Sequence, residues 1–173
     1  MPDLAHLAAL TVLVGLTCYA AAVDLRSMII PDPVNLAIFA SGIAASFLLG
    51  VTGPLSALAG AVLGGGGLWL VQRAFRAYRG YDGLGLGDVK FAAAAGTWTG
   101  MEGLAFALVL ASLSALLYLL ARRLLDSSFD ARHPLPFGPF LGVGVVSVAG
   151  FAILTGASIA EIIDAWLWRF HGG

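Results

Sequence analysis

The sequence contains few charged residues for its length. Of its 173 residues, 11% are charged and 60% are hydrophobic. Soluble domains carry about 25% charged residues, so this chain has too little charge to cover a water-exposed globular surface of its size. The composition therefore predicts that lipid is the solvent for much of the chain. The net charge of -1 gives no support for nucleic-acid binding.

The sequence has a single cysteine, Cys18. One cysteine excludes a disulfide within the chain and a zinc site built from several cysteines. Because Cys18 lies in an apolar stretch with no evident partner base, we interpret it as a small buried apolar residue and not as a nucleophile. The N-terminal segment also lacks the positive region of a signal peptide, which favours a retained helix over a cleaved leader.

Long apolar segments dominate the sequence. A membrane-spanning helix needs roughly 20 mostly apolar residues, and a spanning backbone must satisfy its own hydrogen bonds. These segments predict an all-α polytopic membrane protein with about six transmembrane helices. Because no repeat or linker divides residues 1–173, they are expected to form one membrane-embedded domain. A turn is expected at 97–103. The predicted helices cover about 4–23, 33–51, 55–71, 88–98, 104–121 and 137–154, followed by an amphipathic tail at 158–170.

Glycine is abundant, with 23 residues, and four are consecutive at positions 64–67. Such a run would weaken a helix in water. In lipid, small residues let helices approach each other closely, so the run predicts a close-packing face on the third helix. The tryptophans at 98, 166 and 168 are interpreted as anchors at the membrane interface.

The positively charged residues fall on one side of the predicted helices. They follow the first, third and fifth helices, whereas the segments after the second and fourth helices have none, and only Arg169 in the tail departs from this pattern. The positive-inside rule makes the charged side cytoplasmic, so both termini are expected on the other side. The arginines after the third helix are expected to contact anionic lipid. The residues counted are Arg26, Arg73, Arg76, Arg79, Lys90, Arg122, Arg123 and Arg132.

Two aspartates stand at predicted helix ends on the cytoplasmic side. Asp24 directly follows the first apolar segment, and Asp88 directly precedes the fourth. Both could be helix-end carboxylates that headgroups solvate, and Asp88 could cap its helix. An ionisable residue at a membrane helix end suggests function without naming it, so placement alone leaves both interpretations open.

Three sequence blocks at helix boundaries favour the functional interpretation of the two aspartates over the structural one. The first contains Asp24, then Ile30-Pro31-Asp32 and Asn35, and the second reads YDGLGLGDVK over residues 81–90. The third reads HPLPFGPF over residues 133–140. In the second block, Gly85 and Gly87 precede Asp88, and glycine lets an extended substrate backbone come close to a reactive group.

Together the three blocks resemble the type IV prepilin peptidase family, the GxGD membrane aspartyl peptidases. The resemblance runs from Asp24 to the last span and implies that Asp24 and Asp88 are the catalytic pair. It also implies that Asp82 occupies the place of an acidic residue that often precedes the GxGD block. Pro136 and Gly138 belong to the segment before the final span, where they either shape the helix entry or touch substrate.

The resemblance implies a pilin or pseudopilin precursor as the substrate, in the bacterial inner membrane. Such a precursor has a short basic leader, a glycine before the cleaved bond and then an apolar helix. Asp82 or Asp32 could attract the basic leader or could be a solvated loop carboxylate. Lys90 could pair with an aspartate at the site or extend to the interface. A homodimer is left open.

The implied chemistry needs two carboxyl groups that share one proton around a water molecule. The charged member would activate water for attack on the peptide carbonyl, and the protonated member would polarise that carbonyl and help the amine leave. No acyl-enzyme, cofactor or metal is needed. The residues do not show which aspartate is acid and which is base.

The sequence departs from the family in one respect. Many bacterial members carry an additional N-terminal part with paired cysteines, which is associated with methylating the new N-terminus. This chain lacks those cysteines, so it resembles the short, peptidase-only members, such as those that serve Flp/Tad-type pili. The departure puts N-methyltransferase activity in doubt.

Two other functions remain as alternatives. A transport or proton-relay protein could use Asp24 and Asp88 as carriers, although it would place acidic residues deep within spans and could show a repeat between halves. A non-catalytic membrane scaffold would not depend on either aspartate.

Overall fold

The chain folds into α-helices throughout the part that can be described. The computed structural model describes residues 2–81, 83–126 and 135–171, and all regular secondary structure in these ranges is α-helical. This confirms the all-α prediction, including a helix in the C-terminal tail. The helices are α1 (Leu4–Ser27), α2 (Asp32–Leu48), α3 (Pro54–Arg79), α4 (Leu86–Leu125), α5 (Gly138–Thr155) and α6 (Ile159–His171).

Four of these helices, α1, α3, α4 and α5, are long and apolar enough to cross a membrane. The helix α2 is apolar but shorter, with 17 residues. Large apolar side chains such as Leu48 and Leu55 are about four-fifths exposed, at 81% and 79%, which suits contact with lipid and not with water. The chain is a multi-pass membrane protein, while the number of spans and the side of the termini stay predictions.

The long element α4 consists of two helical segments that meet at Gly100. Gly100 has φ 68 and ψ 179, a conformation that glycine adopts at little cost. Before this residue Gly96 packs against Gly60 of α3, and after it Gly103 packs against Val148 of α5. Tyr118 of the second segment contacts Phe140 near the start of α5, at the end of the bundle where α4 also begins. The chain therefore reverses at Gly100, whereas the sequence predicted a seven-residue turn around the same point.

The hydroxyl of Ser56 stabilises the reversal at Gly100. Its Oγ accepts a hydrogen bond from the Met101 amide at 3.0 Å and donates to Glu102 Oε2 at 2.6 Å. An otherwise unpaired amide at the start of the second α4 segment is thereby satisfied. The turn can be short because a side chain from α3 supplies this partner.

Three helices extend further than the sequence predicted, and the second segment of α4 does so by continuing from 121 to Leu125. The helix α1 continues to Ser27, so Asp24 lies in its last turn and not beyond its end. The helix α3 continues to Arg79 and ends at Gly80, which has φ 79. Arginine is a good helix former and its long side chain can reach the interface from a helix. The three arginines at 73, 76 and 79 therefore lie on α3 and not in a loop.

Two interpretations of single side chains were wrong. Trp98 is 1% exposed, and its Nε1 donates to the Ile38 carbonyl at 2.9 Å, so it belongs to the core and not to the interface. Cys18 is exposed, because it lies on a different face of α1 from the buried Leu13 and Thr17. Trp168 is 77% exposed, and its role as an interface anchor stays a prediction. The side chain of Trp166 lies outside the described part of the structure.

The glycine run at 64–67 packs closely at only two of its four positions. A Cβ at Gly64 would collide with the Ala92 carbonyl, and one at Gly65 would lie 3.0 Å from Ala93 Cβ. At Gly66 and Gly67 an added Cβ would meet no atom of the described residues within 4 Å. The predicted close-packing face is therefore confirmed for the first half of the run.

We expect Gly64→Ala to destabilise the protein and Gly67→Ala not to. Both changes gain similar helix propensity, about 1 kcal/mol. The difference in stability between the two variants therefore isolates the clash with α4. Overpacking of this kind costs roughly 1–3 kcal/mol. Thermal unfolding of both variants in the same detergent measures the difference. The packing account is contradicted if Gly64→Ala melts at or above the temperature of Gly67→Ala.

One end of the helix bundle collects the residues singled out by the sequence. The last turn of α1 meets the start of α5 there, and the start of α2 meets the start of α4, through the pairs Asp24–Gly138 and Asp32–Lys90. The opposite end is marked by the contact of His6 with the Leu49 carbonyl, at 3.1 Å. We call the first of these the site end.

Candidate active site

Asp24 and Asp88 line the same cavity at the site end. The cavity has a volume of about 310 Å³, and the two carboxyl groups are close enough for their charges to interact. Asp24 comes from α1 and Asp88 from the start of α4, so two separate helices bring them together. The full lining is Asp24, Met28, Ile29, Ile30, Asp32, Gly85, Leu86, Gly87, Asp88 and Lys90.

The Asp24 carboxylate is buried and bound to the start of α5. Its residue is 4% exposed, and its Oδ2 accepts the Gly138 amide hydrogen at 2.8 Å. Gly138 is the first residue of α5, so its amide is one of the donors that a helix leaves unpaired and lies at the positive end of the helix dipole. A buried carboxylate needs such a partner, and α5 supplies it.

Gly138 allows this contact because it has no side chain. A Cβ at this position would lie 2.8 Å from Asp24 Oδ2 and 3.1 Å from both Asp24 Cβ and Cγ. The first distance is shorter than a real Cβ contact, and the other two are tighter than most. The structure thus gives Gly138 a position directly against Asp24, which favours the site-shaping interpretation over substrate contact.

Asp88 is half-buried and occupies the third position of α4, after the N-cap residue Gly85. The N-cap residue of α4 is Gly85 and not Asp88, and no side chain of the described residues caps this helix end. The simple capping interpretation of Asp88 is therefore wrong. Asp88 Oδ2 lies close to Gly85, where an added Cβ would come within 3.2 Å of it.

The two glycines before Asp88 lie in tight surroundings. A Cβ at Gly85 would come within 3.2 Å of Asp88 Oδ2, and one at Gly87 within 3.4 Å of the Ile30 amide nitrogen. Gly87 therefore lets the segment after α1 lie against the start of α4. Whether the same glycines receive a substrate backbone stays a prediction.

Lys90 pairs with Asp32 at the rim of the cavity. Its Nζ lies 2.7 Å and 2.8 Å from the two Asp32 carboxylate oxygens. This resolves the alternatives for Lys90, which contacts an aspartate but neither of the two predicted catalytic ones. The side chains are 52% and 70% exposed, so the pair contributes at most about 1 kcal/mol to stability.

The remaining predicted site residues fall elsewhere. Pro136 precedes α5 and, like Gly138, is not part of the cavity lining as far as the described residues define it. Asp82 and residues 127–134, which include the start of the HPLPFGPF block, lie outside the described residues.

Sequence reasoning gave no role to two buried amides near the site. Gln72 of α3 donates from Nε2 to the Leu84 carbonyl at 2.9 Å, and Asn35 of α2 donates from Nδ2 to the Gly87 carbonyl at 3.5 Å. Both are buried, at 7% and 5% exposed. Asn35 belongs to the first sequence block, whereas Gln72 is marked only as a polar amide near the end of an apolar segment, and neither signal identifies the partner.

Comparison with known proteins identifies the family. Residues 11–120 match the sequence model of the Type IV leader peptidase family. The match contains both Asp24 and Asp88. The chain belongs to this family, which confirms the resemblance drawn from the three sequence blocks.

Several curated relatives share the same name, Prepilin leader peptidase/N-methyltransferase. The relative from Aeromonas salmonicida strain A449 is 36% identical over 151 residues, which cover 87% of this chain and 48% of the relative. That from Dickeya chrysanthemi is 39% identical over 143 residues, covering 82% and 50%. That from Xanthomonas campestris pv. campestris is 31% identical over 160 residues, covering 91% and 53%. The chain spans about half the length of these relatives, and no solved structure matches it.

Proposed function

We propose that this chain is a membrane aspartyl endopeptidase that removes the leader from type IV pilin or pseudopilin precursors. The observation that carries the proposal is the meeting of Asp24 and Asp88 at one cavity in a member of the leader peptidase family. Neither carboxyl lies midway along a helix, which disfavours the transport or proton-relay alternative. The methyltransferase activity in the relatives' name is not part of the proposal.

The two carboxyl groups supply complementary proton transfers. One, ionised, removes a proton from water as the water oxygen attacks the scissile carbonyl carbon. The other, protonated, donates to the carbonyl oxygen, and a proton then passes to the departing nitrogen as the C–N bond breaks. Asp24 is buried against Gly138 whereas Asp88 is only half-buried, so we expect the substrate to approach from the side of Asp88.

The surroundings of the carboxyl groups suit a precursor with a polar leader and an apolar helix. Met28, Ile29 and Ile30 form an apolar wall, whereas the Asp32–Lys90 pair forms a polar rim. A basic leader would lie on the rim, where Asp32 can attract it, and the apolar helix would remain in the bilayer. We propose that residues 1–173 act as one domain in the bacterial inner membrane, with this rim on the cytoplasmic side.

Co-expression with candidate pilin precursors tests the proposed function. We expect a mobility shift of the precursor and a new N-terminus that directly follows a glycine. The precursor alone provides the control. If a folded preparation of the protein leaves every glycine-containing leader uncut, the proposed function is wrong.

A further inference from the structure

The backbone before Asp88 is held by side chains from two other helices. We call residues 83–87 the glycine segment, because three of its five residues are glycine. Gln72 of α3 binds its Leu84 carbonyl, and Asn35 of α2 binds its Gly87 carbonyl. These two contacts lie near the two ends of the segment and come from two different helices.

The three glycines leave the segment with few side chains that could fix its conformation. Glycine loses more conformational freedom on folding than any other residue, and Gly83, Gly85 and Gly87 have no side chains with which to anchor the backbone. Asp88 is the third residue of the helix that this segment begins. The position of its carboxyl group therefore depends in part on contacts that other elements make with the segment.

Gln72 lies between an apolar cavity and a second cavity that Arg73 and Arg76 also line. It shares the lining of the apolar cavity with Leu68, Val71 and Phe75 of α3 and with Leu84 of the glycine segment. Burying an amide costs free energy unless it is hydrogen-bonded, and a carbonyl left unpaired in such surroundings also costs free energy. The Gln72–Leu84 contact satisfies both groups at once and ties the segment to α3.

We propose that Gln72 and Asn35 are positioning residues that hold the glycine segment so that the Asp88 carboxyl faces Asp24. The inference rests on the proposed peptidase function. Neither amide lines the cavity that holds the two aspartates, so each acts through the backbone and not on the substrate. The hydrogen bond of Gln72 is the shorter of the two, so we expect its loss to reduce precursor cleavage more.

The variant Gln72→Met tests the inference, because it keeps the length of the side chain and removes the donor. We expect kcat for precursor cleavage to fall by about 10- to 100-fold, since small displacements of a catalytic group have effects of this order. KM should change little. The pH profile of kcat should also shift, because the interaction between the two carboxyl groups depends on their separation. Asn35→Ala should act in the same direction with a smaller effect.

Ser46→Ala is the matched control. Ser46 is 1% exposed and donates from Oγ to the Thr97 carbonyl at 3.0 Å, so it also joins a helix to α4 through a buried hydrogen bond. Thr97 lies close to the reversal at Gly100, away from the site end. We expect Ser46→Ala to lower the melting temperature to a similar extent as Gln72→Met, while kcat and its pH profile stay close to those of the unchanged protein.

Hydrogen exchange in detergent gives a readout that does not depend on cleavage. Amides of residues 83–88 should exchange faster in Gln72→Met than in Ser46→Ala. The inference is overturned if Gln72→Met matches Ser46→Ala in kcat, pH profile and exchange at these amides. If the unchanged protein cuts no precursor, the proposed function fails instead, and the exchange comparison still decides whether Gln72 holds the segment.

Discussion

Replacing either Asp24 or Asp88 by asparagine should abolish precursor cleavage, with kcat reduced by about 10⁴-fold or more. Asparagine keeps the shape of aspartate but neither accepts a proton from water nor donates one to the carbonyl oxygen at ordinary pH. Because the two carboxyl groups act on the same water and peptide bond, the double variant should be little worse than either single one. Rates of precursor cleavage by the purified single and double variants measure the effect.

The loss of activity must be separated from unfolding, since the Asp24 carboxylate also accepts the Gly138 amide hydrogen. The asparagine side-chain oxygen can accept that hydrogen bond, so melting temperatures should remain close to that of the unchanged protein. Glu102→Gln provides a matched control, because this carboxylate lies on α4 beside Ser56, past the Gly100 reversal. The account fails if a folded Asp24→Asn or Asp88→Asn variant cleaves normally, or if Glu102→Gln loses as much activity.

Gly138→Ala should reduce kcat by roughly 100-fold in a protein that still folds. The added methyl group would occupy the space of the Asp24 carboxyl group, at 2.8 Å from its Oδ2. Either Asp24 moves or the start of α5 moves, and in both cases the 2.8 Å hydrogen bond from the Gly138 amide is lost or weakened. Single-turnover cleavage rates for this variant measure the effect directly.

Gly142→Ala is the corresponding control on the same helix. Gly142 lies about one turn further along α5, where a Cβ would lie 3.5 Å from Thr17 Cβ, an ordinary van der Waals distance. We expect nearly normal cleavage by this variant. Equal activity of the Gly138→Ala and Gly142→Ala variants would show that Asp24 does not depend on the close approach of α5.

The apolar segments were sufficient to predict the helical membrane fold, because lipid leaves a spanning backbone few alternatives. Their ends were harder to predict. A charge at Asp24 suggested the end of α1, yet the helix continues to Ser27, since a charged residue in the last turn can find a partner in another helix. The same holds for the arginines of α3, whose long side chains do not require the helix to stop.

The two aspartates could be predicted from local motifs, but their partners could not. Gly138 is 114 positions from Asp24 in the chain, and nothing in the sequence near either residue specifies the other. Gln72 carries even less signal, because a buried glutamine among leucine and valine residues can bind any nearby carbonyl. Contacts of this kind follow from how the helices pack, which a single sequence does not display.

Cross-linking of positions 24 and 88 tests the central claim most directly, namely that the two carboxyl groups meet at one cavity. The variant carries Cys18→Ser, Asp24→Cys and Asp88→Cys, since Cys18 is an exposed free thiol that would otherwise react. With a short bifunctional thiol reagent, intact mass should show one intramolecular link in this protein. The control with Asp24→Cys and Glu102→Cys should show none. Absence of the link in the first protein, or equal linking in both, would contradict the account.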